Sequence, residues 1–69
     1  MYIFDVDKKE QLLEGRKINY VAEKIGVTNS FLVTVLNGNK HCTKPIAYCI
    51  VKCLQSDMEV EDFFIKKEG

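Results

Sequence analysis

The segment from Ala22 to Gly38, "AEKIGVTNSFLVTVLNG", constrains this chain more than any other. Apolar residues recur at helical spacing through Ile18, Val21, Ala22 and Ile25 and stop at Gly26. They resume as Leu32, Val35 and Leu36 behind Thr28, a residue suited to cap a helix start. The spacing predicts two short helices joined by a tight turn, in which each small residue has a mechanical role. Ala22 belongs where the two axes approach most closely, so a larger side chain there would force them apart. Gly26 takes a positive φ that costs other residues about 1 kcal/mol or more. Val27 drops into the gap between the helices, and Leu32 and Val35 fasten the second of them to the core.

Around this unit the chain reads as further short elements, with no internal repeat or linker. "YIFDV" alternates in apolar character and suits a short strand, and "DKKE" at Asp7 to Glu10 reads as a capping box opening a first helix through Leu12 and Leu13, stopped by Gly15. "NGNK" at Asn37 to Lys40 closes the third helix. Pro45 fits a first helical position, and Ile46, Cys49, Ile50, Cys53 and Leu54 continue one face of a fourth. "VEDFFI" reads as a last short helix, with "FIKK" returning as an edge strand beside "YIFDV". The expected fold is therefore all-α: one domain over residues 1–69, a compact bundle of about five short helices with a small terminal β pairing.

A chain of 69 residues has a core worth only about 3 to 5 kcal/mol and little room for a deep substrate cleft, which favours binding over catalysis. Chemistry-bearing residues are correspondingly few. His41 is the single histidine, no thiol has an evident base partner, and there is no Gly-rich phosphate loop or paired-carboxylate arrangement, so no enzyme, small-molecule ligand or cofactor is expected. Glu59, Glu61 and Asp62 read as a solvated face. Cys42, Cys49 and Cys53 are an odd number without a disulfide framework's spacing, and match no common zinc pattern. They read as buried thiols in a reducing compartment, with no metal; a thiol or metal sensor would need at least two sulfurs exposed and convergent. No apolar run of membrane-spanning length and no signal-peptide order is present, so the expected location is the cytoplasm.

Net charge is zero but uneven. From Gly15 to Lys44 stand Arg16, Lys17, Lys24, Lys40 and Lys44 against one acid, Glu23, a surplus of four; the remainder carries five bases and nine acids. A local basic face is what a phosphate backbone attracts. Within it, if Leu32, Val35 and Leu36 point inward, the opposite face of the third helix holds Ser30, Val33, Thr34 and Asn37, with Asn29 at its exposed start. These side chains are short enough to let a helix approach base edges. Asn bonds bidentately to adenine, Ser and Thr accept several partners, and Val33 suits a thymine methyl, which favours an A·T-containing half-site.

Small, glycine, apolar and paired apolar positions combined in this way specify a helix-turn-helix better than a generic helical hairpin. "INYVAEKIGVTNSFLVTVLNGNK", followed by "KPIAYCIVKCL", resembles the Cro/C1-type, or XRE-type, helix-turn-helix proteins, which include the repressors of lambda-like phages and many small bacterial regulators. The resemblance runs from about Leu12 to Phe64 and is closest at "A-x-x-x-G-V" and the closing "L-N-G". It implies a five-helix, lambda-repressor-like bundle that places its third helix in the major groove of a double-stranded DNA operator and acts as a homodimeric transcriptional regulator. Carried over by position, it places Thr28, Asn29, Ser30 and Thr34 at the groove, and the helical-face reading adds Val33 to the base-reading set Asn29, Ser30 and Thr34. Thr28 falls at the same groove, on the phosphates, and Lys40, Thr43 and Lys44 meet phosphates after the third helix. Lys17, Asn19 and Tyr20 lie at the start of the second helix, whose free amides attract phosphate.

The chain also departs from the family pattern. Ile18 replaces a glutamine that contacts phosphate in many relatives, and Arg16 falls where a buried leucine is common, which implies that Ile18 fills the core instead. About two extra residues separate Leu54 from Phe64. Phe63, Phe64 and Ile65 are candidates for the contact between two copies, and core packing explains them equally well. The alternative function is a protein-interaction module or antirepressor that keeps the helix-turn-helix body without DNA binding and uses the same apolar "FFI"; such a protein would not need Lys40 and Lys44.

Overall fold

The computed structural model describes residues 1–67. Its elements run in the order β1 (Tyr2–Phe4), a 3-10 turn (Val6–Lys8), α1 (Lys9–Leu13), α2 (Ile18–Ile25), α3 (Asn29–Leu36), α4 (Lys44–Leu54), a second 3-10 turn (Val60–Asp62) and β2 (Phe64–Lys66). The protein is thus mostly helical, with a small two-stranded sheet. No helix among the described residues is long and apolar enough to cross a membrane.

β1 and β2 pair antiparallel with Tyr2 opposite Lys66, Ile3 opposite Ile65 and Phe4 opposite Phe64. Alternation puts Tyr2 and Phe4 inward, and the Phe4 and Phe64 rings meet edge to face at a centroid separation of 5.2 Å. On its other side β1 bonds Cys42: Tyr2 N–H donates to the Cys42 carbonyl and Cys42 N–H to the Tyr2 carbonyl, both at 2.8 Å. The loop after α3 is therefore held as a third rung beside the sheet. Cys42 is buried there, and burial pushes its thiol pKa above the ordinary value of 9.0, against a smaller opposing influence of the N-terminal ammonium.

The core is one cluster drawn from every α-helix and both strands, with Leu12, Val21, Leu32, Val35, Leu36, Ala47, Ile50 and Val51 sealed from solvent. Polar side chains close the joins. Gln55 donates to the carbonyls of Gln11 and Leu12 and to the Glu14 carboxylate, tying the segment after α4 to the end of α1. Arg16 donates to the Leu54 carbonyl at the end of α4, where the helix dipole favours a cation.

Several expected details differ. Asp7 does not open a capping box. Asp5 caps instead, its carboxylate accepting the Asp7 N–H, and α1 begins a turn later, at Lys9, without a side-chain cap. α1 is stopped first by Glu14, at φ 49°, with Gly15 following at φ 82°. The expected fifth helix shrinks to the 3-10 turn over Val60–Asp62, where Glu59 and Asp62 form a capping box; the chain must then extend so that Phe64 can face Phe4. On α4 the buried face is Ala47, Ile50, Val51 and Leu54, and Cys49 and Cys53 are exposed rather than buried. At about 100° per residue, Cys49 lies roughly 150° from the middle of that face. The expected register counted both thiols as apolar, whereas packing against α1, α2 and the Val60 turn selects Ala47 and Val51.

Candidate nucleic-acid interface

α2 and α3 are eight residues each and joined by Gly26, Val27 and Thr28. Gly26 ends α2 at φ 80°, and its N–H and that of Val27 both donate to the Ala22 carbonyl, at 2.9 and 3.0 Å, which turns the chain within one residue. Val27 packs half-buried on the core and Ala22 is buried. Thr28 then starts α3 in extended conformation, and its Oγ1 accepts the Phe31 N–H at 3.1 Å.

Leu32, Val35 and Leu36 are the buried residues of α3, so the helix presents its other side outward. Asn29, Ser30 and Asn37 are exposed on that side; Val33 and Thr34 are half-buried. The expectation of an openly exposed Val33 is therefore corrected: part of its side chain is covered by the body of the protein. Thr34 donates its hydroxyl to the Ser30 carbonyl at 2.8 Å, which leaves its Oγ1 free to act as an acceptor. Among the described residues, the side chains of Asn29 and Ser30 make no hydrogen bond.

Cations flank this surface. Lys40 Nζ lies 5.8 Å from the centre of the Phe31 ring, which ties the loop after α3 back to the first turn of the same helix. Lys9 was absent from the expected site, yet its Nζ donates to Asn37 Oδ1 at 2.9 Å across 28 positions of sequence. Nothing in the local sequence signals that approach, because it depends on how α1 sits beside the end of α3. At the start of α2, Lys17 and Asn19 are exposed and carry no capping bond; Tyr20 is exposed beside them, with Lys24 Nζ 5.5 Å from its ring. Thr43 and Lys44, at the start of α4, are exposed, and the Thr43 hydroxyl caps nothing.

The expected residues fall into three groups. Thr28, Asn29, Ser30, Val33, Thr34 and Lys40 share α3 and the side chain bonded back to it. Lys17, Asn19 and Tyr20 relate to that group only through the packing of α2 on α3, and Thr43 and Lys44 only through the loop that Cys42 pins to β1. Ile18 is half-buried on the core, in agreement with a filling role. Phe63 and Phe64 are buried, so of the expected contact between copies only Ile65, 47% exposed, remains at the surface. No cluster of three or more metal-ligating side chains occurs among the described residues.

No family profile, curated protein sequence or solved structure matches this chain, and the reading of the surface rests on its own residues and geometry.

Proposed function

We propose that α2, the Gly26–Thr28 turn and α3 form a helix-turn-helix of the Cro/C1 type, and that the protein is a transcriptional regulator that binds double-stranded DNA. The observation that carries this reading is the surface of α3. With Leu32, Val35 and Leu36 anchored in the core, the helix shows solvent an uncharged side of short polar groups, Asn29, Ser30, Thr34 and Asn37, bordered by Lys40 and Lys9. A solvated helix ordinarily carries Lys and Glu at such positions. Short groups allow close approach to a major groove, and bordering cations suit the phosphates on either side.

In this reading Asn29 and Ser30 make the directional base contacts. Thr34, with its proton engaged in the helix, accepts from an exocyclic amine or places its methyl against thymine. Lys40, Lys44, Thr43 and Lys17 meet phosphate oxygens, and Asn19, Tyr20 and Thr28 fix the position of the helix pair. A single module of this size reads few base pairs, so operator binding uses two copies about one helical turn apart.

Fluorescence anisotropy tests the proposal, with a pool of genomic duplex fragments titrated across a salt series. The wild type is expected to bind, and Lys40→Ala with Lys44→Ala to weaken binding and flatten the dependence of log K on log salt by about two units. Absence of salt-dependent binding at low ionic strength would falsify it.

A further inference from the structure

Lys9 borders the end of α3 and Arg16 has no part in the reading above, yet both line one open cleft of about 590 Å³ on α1, with Glu10, Leu13 and Gly15. We propose that this cleft extends the DNA-binding surface beyond α3 and seats one phosphodiester of the duplex between the Lys9 ammonium and the Arg16 guanidinium. The proposal rests on the reading of α3 as the helix that enters the major groove.

Neither charge is neutralised by the protein itself. Lys9 Nζ donates to Asn37 Oδ1 at 2.9 Å and Arg16 Nη1 to the Leu54 carbonyl at 3.3 Å, and neither side chain forms an ion pair among the described residues. An ammonium carries three donors and a guanidinium five, so each has N–H groups to spare after its one bond. Uncharged oxygens thus hold the two cations in place without cancelling them, and an arriving anion meets groups that are already ordered. Leu13, half-buried, forms the floor between them. The volume is many times the ~30 Å³ that one water occupies, so the cleft admits a group as large as a phosphodiester.

Continuity with α3 identifies the anion as DNA backbone. Asn37 follows Ser30 by seven residues, which puts it almost on the same line of α3 and about 10 Å further along the axis. A helix of this class meets base edges with its N-terminal residues, so its far end, with Asn37, stands toward the groove wall where the phosphates run. The bond from Lys9 to Asn37 fixes the α1 cleft beside that end. A backbone strand leaving the groove there passes next over Lys9 and Arg16. Glu10 is the one acid in the cleft and opposes the two cations.

The test is fluorescence anisotropy on the genomic duplex pool across a salt series, with the folding of each variant checked by its melting curve. Lys9→Ala with Arg16→Ala is expected to weaken binding and lower the slope of log K on log salt by about one unit, the counterion release of one phosphate. Lys9→Arg with Arg16→Lys keeps the wild-type slope. Glu10→Gln, at an exposed position that takes part in neither tether, binds more tightly than wild type. A wild-type slope in the alanine double variant, where Lys40→Ala with Lys44→Ala lowers it, would overturn the cleft and leave the DNA-binding reading standing. No salt-dependent binding by the wild type would overturn both. Equal affinity of Glu10→Gln and wild type would overturn the cleft whether or not the alanine variant folds. So would calorimetric binding of inorganic phosphate that needs Lys9 and Arg16 while the duplex slope does not, since the cleft then takes a free anion.

Discussion

Thr28 and Thr34 both direct their hydroxyls at backbone, yet only one of these bonds is readable from neighbouring residues. Thr28 stands two residues after Gly26 and just ahead of the apolar-periodic stretch from Phe31, the local pattern of a cap, and its Oγ1 accepts the Phe31 N–H. The bond from Thr34 to the Ser30 carbonyl needs α3 already formed, and it commits the Thr34 hydroxyl proton within the helix. Glycines show the same division. Gly26 and Gly38 have nearly equal positive φ, 80° and 78°, but a Cβ at Gly26 would meet nothing within 4 Å, whereas one at Gly38 would lie 2.9 Å from Val6 Cγ1. Gly26→Ala is therefore expected to cost about 1 kcal/mol from the backbone alone, and Gly38→Ala about 2 kcal/mol, since a branched valine yields little. Urea denaturation should show the excess at Gly38 disappearing in a Val6→Ala background; an equal cost for both glycines would mean that the Val6 contact carries no energy.

At the level of elements, α2 packs against both α3 and α4, and Ala22 on α2 is a small residue buried in that core. Ala22→Leu is expected to destabilise by about 1–3 kcal/mol through overpacking and to tilt α3 away from its orientation on the body. On the proposed DNA-binding reading, affinity measured by anisotropy where the variant remains folded should fall further than the loss of folded population accounts for. A loss matching that population would show that α3 keeps its orientation. α4 teaches the converse lesson. "IAYCIVKCL" supports two apolar registers when cysteine counts as apolar, one through Cys49 and Cys53 and one through Ala47 and Val51. The second is adopted because α4 lies against α1, α2 and the Val60 turn.

Across the whole molecule, the ends of the described chain complete the core. Tyr2 and Phe4 are buried under β2, and Lys67 N–H donates to the Met1 carbonyl at 2.8 Å, so the sheet closes the helical body at one side. Phe→Ala substitutions in a core cost about 3–5 kcal/mol, as much as a domain of this size has in total. Phe4→Ala is accordingly expected to be largely unfolded at 25 °C, and Phe4→Leu to fold with a lowered melting temperature. Far-ultraviolet circular dichroism separates the two; native helicity in Phe4→Ala would mean that the helices stand without the sheet. The same closure buries Phe63 and Phe64, which removes them from the expected contact between copies.

What the sequence by itself determined is what depends on residues within about one or two helical turns of each other. This covers the bounds of α2 and α3, the Gly26 turn, the Thr28 cap, the buried stripe of Leu32, Val35 and Leu36, and with it the outward set of Asn29, Ser30 and Thr34. The pairing of "YIFDV" with "FIKK" was suggested by the alternation of "YIFDV", which needs a partner strand, but nothing within "FIKK" itself marked it as that partner. Only the tertiary structure decided which face of α4 is inside, that Lys9 reaches Asn37, that Lys40 leans on Phe31, and that the Phe63 segment is core. Each of these depends on distant elements sharing one small interior. A helical period specifies a stripe of contacts, but the surface packed against it selects between stripes of nearly equal apolarity.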